Sequence, residues 1–138
     1  MKKILFAVDD TAACQKAAEF VIGFFGDRED CAITLIHVKT PIILYGEAAL
    51  AAYDEIEEKE EKTNSDLLDK FIKIFKDKGI NVGYETLEGE AVAEVSNFSK
   101  SFDLLVIGSS EDSLWNKIFS SNQSGFSQKS PIPILIVK

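Results

Sequence analysis

Five short apolar runs alternate with stretches of helical spacing along this chain, and that alternation constrains the fold more than any other feature. Lys3–Val8 is a buried strand that stops at the acid pair Asp9-Asp10. Apolar residues at 17, 20, 21, 24 and 25 keep helical spacing from Thr11 to Phe25, and Gly26 closes the helix. Cys31–Val38 is a second buried run, followed by a loop over 39–46 that contains Ile42-Ile43-Leu44-Tyr45. An acidic helix then ends at Gly79 and carries Leu67, Leu68, Phe71, Ile72 and Phe75 on one stripe, its charge run facing water. Residues 80–87 predict a third strand, and Gly89 opens a helix that turns Ala91, Val92, Val95, Phe98 and Phe102 inward. Leu104–Ile107 is the fourth strand and 132–138 the fifth, with a Ser- and Gln-rich loop and a weak helix between them.

This order predicts an α/β fold: a doubly wound five-stranded parallel sheet, Rossmann-like, with helices on both faces and right-handed crossovers. In such sheets ligands sit beyond the carboxyl ends of the strands, where neighbouring connections leave in opposite directions. Asp9 ends the first strand and Gly108 the fourth, so both stand on that rim.

Composition narrows the function classes. A length of 138 residues fits one domain with one core, and 46% apolar residues exclude a disordered chain. The net charge of −8 argues against nucleic acid or an anionic membrane as partner, since both need clustered Lys and Arg. No apolar stretch approaches the ~20 residues of a membrane span, and Asp9-Asp10 cut the first apolar run too short for a signal peptide. Cys14 and Cys31 lack C-x-x-C spacing and read as buried or spare thiols of a cytoplasmic protein. His37 is the only histidine, which leaves zinc without a ligand set and a triad hydrolase without its G-x-S-x-G elbow. It reads as a strand residue packed at the sheet surface.

Four quoted segments carry a resemblance. "KKILFAVDDTAACQKAAEF" is similar to an opening strand, a V-D-x-S turn and an Ala-bearing helix; "ITLIHV" to a second strand; "GEAVAEVSNFSKSFDLLVIGS" to a third helix and fourth strand; "SPIPILIVK" to a P-x-P followed by a terminal strand. Taken in order over nearly all of the chain, they resemble a universal stress protein domain spanning 1–138. The resemblance implies strand order 3-2-1-4-5, a role in the stress response, and a homodimer built through the last strand, 134–138. Many members bind ATP through G-x2-G-x9-G-[ST] after strand four, with adenine near the last Val of strand two and the Asp of strand one close to the nucleoside. Carried over, the candidate binding residues are Val8, Asp9, Val38, Gly108, Ser109, Ser110, Ser120 and Ser121. Glu111 occupies the place of the second glycine. The closing pair is Ser120-Ser121 counted back from Pro131, or Ser121-Asn122 counted forward from Gly108.

Glycines in such a loop supply positive φ and let backbone N–H groups approach phosphate without a Cβ in the way. Glu111 removes both advantages, and Glu111 and Asp112 add charge. Two like charges ~4 Å apart cost about 4 kcal/mol at an effective dielectric near 20, against ~1 kcal/mol for each hydrogen bond. Lys117 is the loop's only cation. The expectation is therefore a dimeric binding module that acts without catalysis and without a tightly held cofactor. ATP or another adenine nucleotide with Mg²⁺ is the alternative, as a switch with at most slow hydrolysis in which Asp9 or Glu111 orients water. Asp9 and Asp10 also stand where carboxylates cap a helix, and Asp10 is the favoured cap. A receiver domain would share the acid pair, but its phosphorylatable Asp at the end of strand three is missing here. Trp115 is read as an anchor packing the loop.

Overall fold

The fold is known from a computed structural model, which describes residues 1–39, 62–63, 65–111, 115 and 130–138. In chain order they form β1 (Lys2–Ala7), α1 (Ala12–Phe25), β2 (Cys31–Lys39), α2 (65–76), β3 (Gly83–Glu88), α3 (Ala91–Phe98) with a 3-10 turn at Ser99–Ser101, β4 (Leu104–Gly108) and β5 (Ile134–Val137). The sheet runs β3-β2-β1-β4-β5, and every pairing is parallel. This is the doubly wound order expected from the alternation. β1 lies in the middle and pairs with both β2 and β4.

Strand alternation divides the core into two layers. Ile4, Phe6 and Val8 of β1 and its exit face α1 and α2, where Phe6 meets Phe71 and Phe75 edge-on at centroid distances of 6.1 and 6.3 Å. Burying each ring contributes about 1.5–3 kcal/mol, and an edge-to-face pair adds roughly 1 kcal/mol. Leu5 and Ala7 face the other way and pack with Val95, Phe102 and Trp115 beside α3. Trp115 is 1% exposed, the loop anchor that its size and position predicted.

Local chemistry sets the boundaries. Thr11 is the N-cap of α1: its hydroxyl oxygen accepts from the Cys14 amide at 3.2 Å and its O–H donates to Asp9 Oδ1. Asp10 is exposed and pairs at 3.8 Å with Lys70, and the expected Asp10 cap is corrected to Thr11: the helix begins at Ala12, which puts residue 11 in the cap position with its oxygen on the third amide. The third strand starts at Gly83 rather than at residue 80. Gly79 adopts φ 75 after α2, the Ile80 amide bonds back to the Phe75 carbonyl at 3.0 Å, and Ile80 and Val82 pack onto the core before the strand begins. Gly89, at φ 135, makes the turn into α3, while Glu90 caps that helix by accepting from the Val92 and Ala93 amides.

Candidate functional site

The carboxyl ends of β1, β2 and β4 form the rim on which ligands of such sheets lie. A phosphate there would need free backbone N–H groups, and several are already donated within the sheet. The Val8 amide donates to the Ile36 carbonyl at 2.8 Å, and the Ser109 amide to the Val137 carbonyl at 2.8 Å. The Asp9 amide donates to Cys14 Sγ at 3.3 Å. The two strand pairings thus run one residue past β1 and β4 and take the donors with them.

Gly108 has a packing reason to be glycine. A Cβ placed on it would lie 2.6 Å from the Ala13 carbonyl oxygen and 2.8 Å from Cys14 Cα, both backbone atoms of α1. The first turn of α1 therefore crosses directly over the end of β4, and its small residues Ala13, Cys14, Ala17 and Ala18 let it approach that closely. The close approach accounts for this glycine with no ligand present.

The expected residues are divided between the sheet's two faces. Val8 is buried against α1 and α2, whereas Val38 is buried on the α3 face. Asp9, Ser109 and Ser110 are half-buried on the rim, and Glu111 is exposed. Ser120 and Ser121, together with Asp112, lie outside the described residues.

Asp9 opens onto a cavity of about 440 Å³ between the ends of β1 and β2 and the start of α2, lined among the described residues by Asp9, Asp10, His37, Thr63, Asp66, Leu67 and Lys70. Three carboxylates and one ammonium make its described wall acidic, and Lys70 is already near Asp10. Beneath it, burial pushes the Cys14 thiol up to about 12, opposed by the Asp9 amide that donates to the sulfur. That thiol is inert at neutral pH. Burial also holds the His37 imidazole below its ordinary value, which keeps the ring neutral. A hollow of about 480 Å³ lies against edge strand β3 at Tyr84, Glu85 and Thr86, away from Asp9 and Gly108.

The sequence reading did not place His37, Thr63, Asp66 or Lys70 in this cavity. For His37 a signal exists: it follows Ile33 and Leu35 at two-residue spacing and so shares their face, one step beyond the last buried position. The three α2-side residues come from a helix whose docking no local pattern specifies.

Residues 1–138 match the model described as the universal stress protein family. A universal stress protein of Helicobacter pylori is 32% identical over 135 residues, covering 98% of each chain. The chain belongs to the universal stress protein family. Among solved structures, the fold of this universal stress protein is similar to UspA from Lactobacillus plantarum, with a TM-score of 0.77 at 16% identity over 99% of this chain and 97% of that one. It is also similar to an Arabidopsis thaliana universal stress protein family protein with AMP bound, with a TM-score of 0.70 at 18% identity over 100% of this chain and 92% of that one. At such identities the likeness establishes the shared sheet and its rim.

Proposed function

We propose that these 138 residues act as a single domain in the stress response, as a homodimeric binding and regulatory module that lacks a triphosphate grip. Its rim suits at most a nucleoside or nucleoside monophosphate of the adenine class, the chemistry of the AMP held by the Arabidopsis relative. The observation that carries this reading is the state of the rim donors: the Val8, Asp9 and Ser109 amides are all engaged within the protein. The charge of the adjoining cavity points the same way, since Asp9, Asp10 and Asp66 would repel added phosphates more than Lys70 attracts them. Val8, Val38, Gly108, Ser110, Ser120 and Ser121 remain candidates for the ligand's surroundings. The reading is one of binding without turnover.

The second reading, an ATP or ADP switch with Mg²⁺, draws support from one observation. Glu111 is exposed, so its charge is screened by water and does not crowd the rim. Calorimetric titrations with adenosine, AMP and Mg²⁺-ATP on protein checked for copurified nucleotide separate the two. Binding of ATP no tighter than AMP is the expected result. A tenfold or greater preference for ATP would establish the switch and refute the proposal.

A further inference from the structure

We propose that the outer edge of β3 is a docking site for an extended, lysine- or arginine-bearing peptide segment of a partner protein. The segment joins the sheet as an added strand and lays its basic side chains in the hollow beside α2. This edge lies across the sheet from β5 and away from the rim, so the site goes beyond the ligand reading and does not depend on it.

Backbone direction decides which groups this edge offers. The Gly89 amide donates to the Lys39 carbonyl at 3.1 Å, so it points at β2. Backbone groups alternate in direction along a strand, and those of Tyr84, Thr86 and Glu88 therefore point away from β2. Among the described residues β3 is the outermost strand, and no other backbone bonds to those three residues. A row of unpaired strand groups is a template for a further strand. Natural edges are commonly blunted by lysine, proline or a bulge. Gly83–Glu88 contains neither lysine nor proline, and its register with β2 runs unbroken from Thr34↔Gly83 to Lys39↔Glu88.

The chemistry of the occupant follows from the hollow of about 480 Å³. Ser65, Leu68 and Asp69 of α2 stand on one side of it and Tyr84, Thr86 and Glu88 of β3 on the other. An added strand lies about 4.8 Å beyond β3 and sends alternate side chains over this face. The described lining carries three exposed carboxylates, Asp69, Glu85 and Glu88, against the ammonium of Lys39. Tyr84, 62% exposed, offers its ring to the aliphatic stem and cationic end of a lysine or arginine. A second copy of this chain, of net charge −8, would bring its own Glu85 and Glu88 to the pair, and like charges across paired strands destabilise them. The acids guard the edge against self-pairing and favour a basic segment.

The test uses the full chain and, as probe, a capped peptide of alternating lysine and valine. In the free protein the Tyr84, Thr86 and Glu88 amides should exchange with solvent quickly, while those of Glu85 and Leu87, turned toward β2, are protected. Saturating peptide should slow the first three about tenfold or more. Thr86→Pro removes an outward donor and no bond to β2, so it should weaken the peptide at least about tenfold while thermal melts stay close to the parent. Asp69→Lys combined with Glu88→Lys leaves the strand backbone untouched. It should weaken the lysine peptide about tenfold and favour the same peptide with glutamate in place of lysine. Failure of the lysine peptide to bind, binding that leaves the three amides unprotected, or equal binding of the glutamate peptide to the parent would each overturn the inference. Protection of those amides that grows with protein concentration alone would give the edge to a second copy and overturn it as well.

Discussion

Replacing Gly108 with alanine separates a packing glycine from a phosphate-binding one. The added methyl would sit 2.6 Å from the Ala13 carbonyl oxygen, 2.7 Å from its carbon and 2.8 Å from Cys14 Cα. These atoms belong to helix backbone and cannot swing aside as a side-chain tip can, so the first turn of α1 must lift from the sheet. Overpacking of a core costs typically 1–3 kcal/mol, and a rigid obstacle places this case near the upper end, about 2–3 kcal/mol. For a chain of this length that corresponds to a fall of roughly 10 °C in Tm. Gly23→Ala is the control: the same methyl there meets no atom within 4 Å, and in a helix it should stabilise by about 0.5–1 kcal/mol. Denaturant and thermal melts of both variants provide the measurement. If Gly108→Ala melts within a degree of the parent while adenosine and AMP binding disappears, the glycine serves a ligand and the packing argument is wrong.

Two further outcomes follow from local chemistry. Between pH 9 and about 12 the unfolded Cys14 thiol ionises while the buried one stays protonated, so the folded state holds more protons and stability falls as pH rises. Cys14→Ala should remove that slope in alkaline melts, and in the native parent a thiol reagent at pH 8 should label Cys31 well before the buried Cys14. Glu90→Ala removes both side-chain bonds at the start of α3, 3.2 and 2.8 Å long, and should cost about 1 kcal/mol in urea unfolding.

The fold was legible because each apolar run carries its own period. β1, β2 and β4 sit within a residue or two of the limits expected from hydrophobicity alone. β3 was legible as a strand but its expected start at 80 fell three residues early, since an edge strand with most side chains exposed has little apolar pattern to declare its ends. The rim was legible from topology, which sends Asp9 and Gly108 to the same side of neighbouring strands. The meaning of the rim residues was not. Gly108 looked like part of a phosphate loop because sequence cannot display the Ala13 backbone that crosses it. Ser109 was legible only as a candidate binding residue, because the register of β5, which engages its amide, is set by residues near the far end of the chain. Lys70 and Asp66 entered the cavity through the docking of α2, a tertiary choice that 3.6-residue periodicity leaves open.

The proposed homodimer gives a prediction that the structure sharpens. β5 is the last strand of the sheet, and an apolar edge strand invites a partner strand. Its side chains are not equivalent as probes. Leu135 and Val137 pack against the α1 layer, so Leu135→Lys would disturb the fold as well as an interface. Ile136 is 42% exposed and is the better site. On α1, Phe20 and Phe24 stack at 4.3 Å on the flank that carries Ala13 and Ala17 toward β4, and Phe24 is 61% exposed. The opposite flank meets Ile80, so the aromatic pair lies on the flank of α1 toward β4 and β5, on the face of the sheet opposite Ile136. Ile136→Lys should raise the dimer dissociation constant at least about tenfold, and Phe24→Ser should weaken the dimer further when combined with it. Sedimentation across a concentration series checks both. A parent that sediments as a monomer at every concentration, or an Ile136→Lys chain that remains as dimeric as its parent, would remove β5 as the interface and leave the exposed Phe24 without the role argued for it.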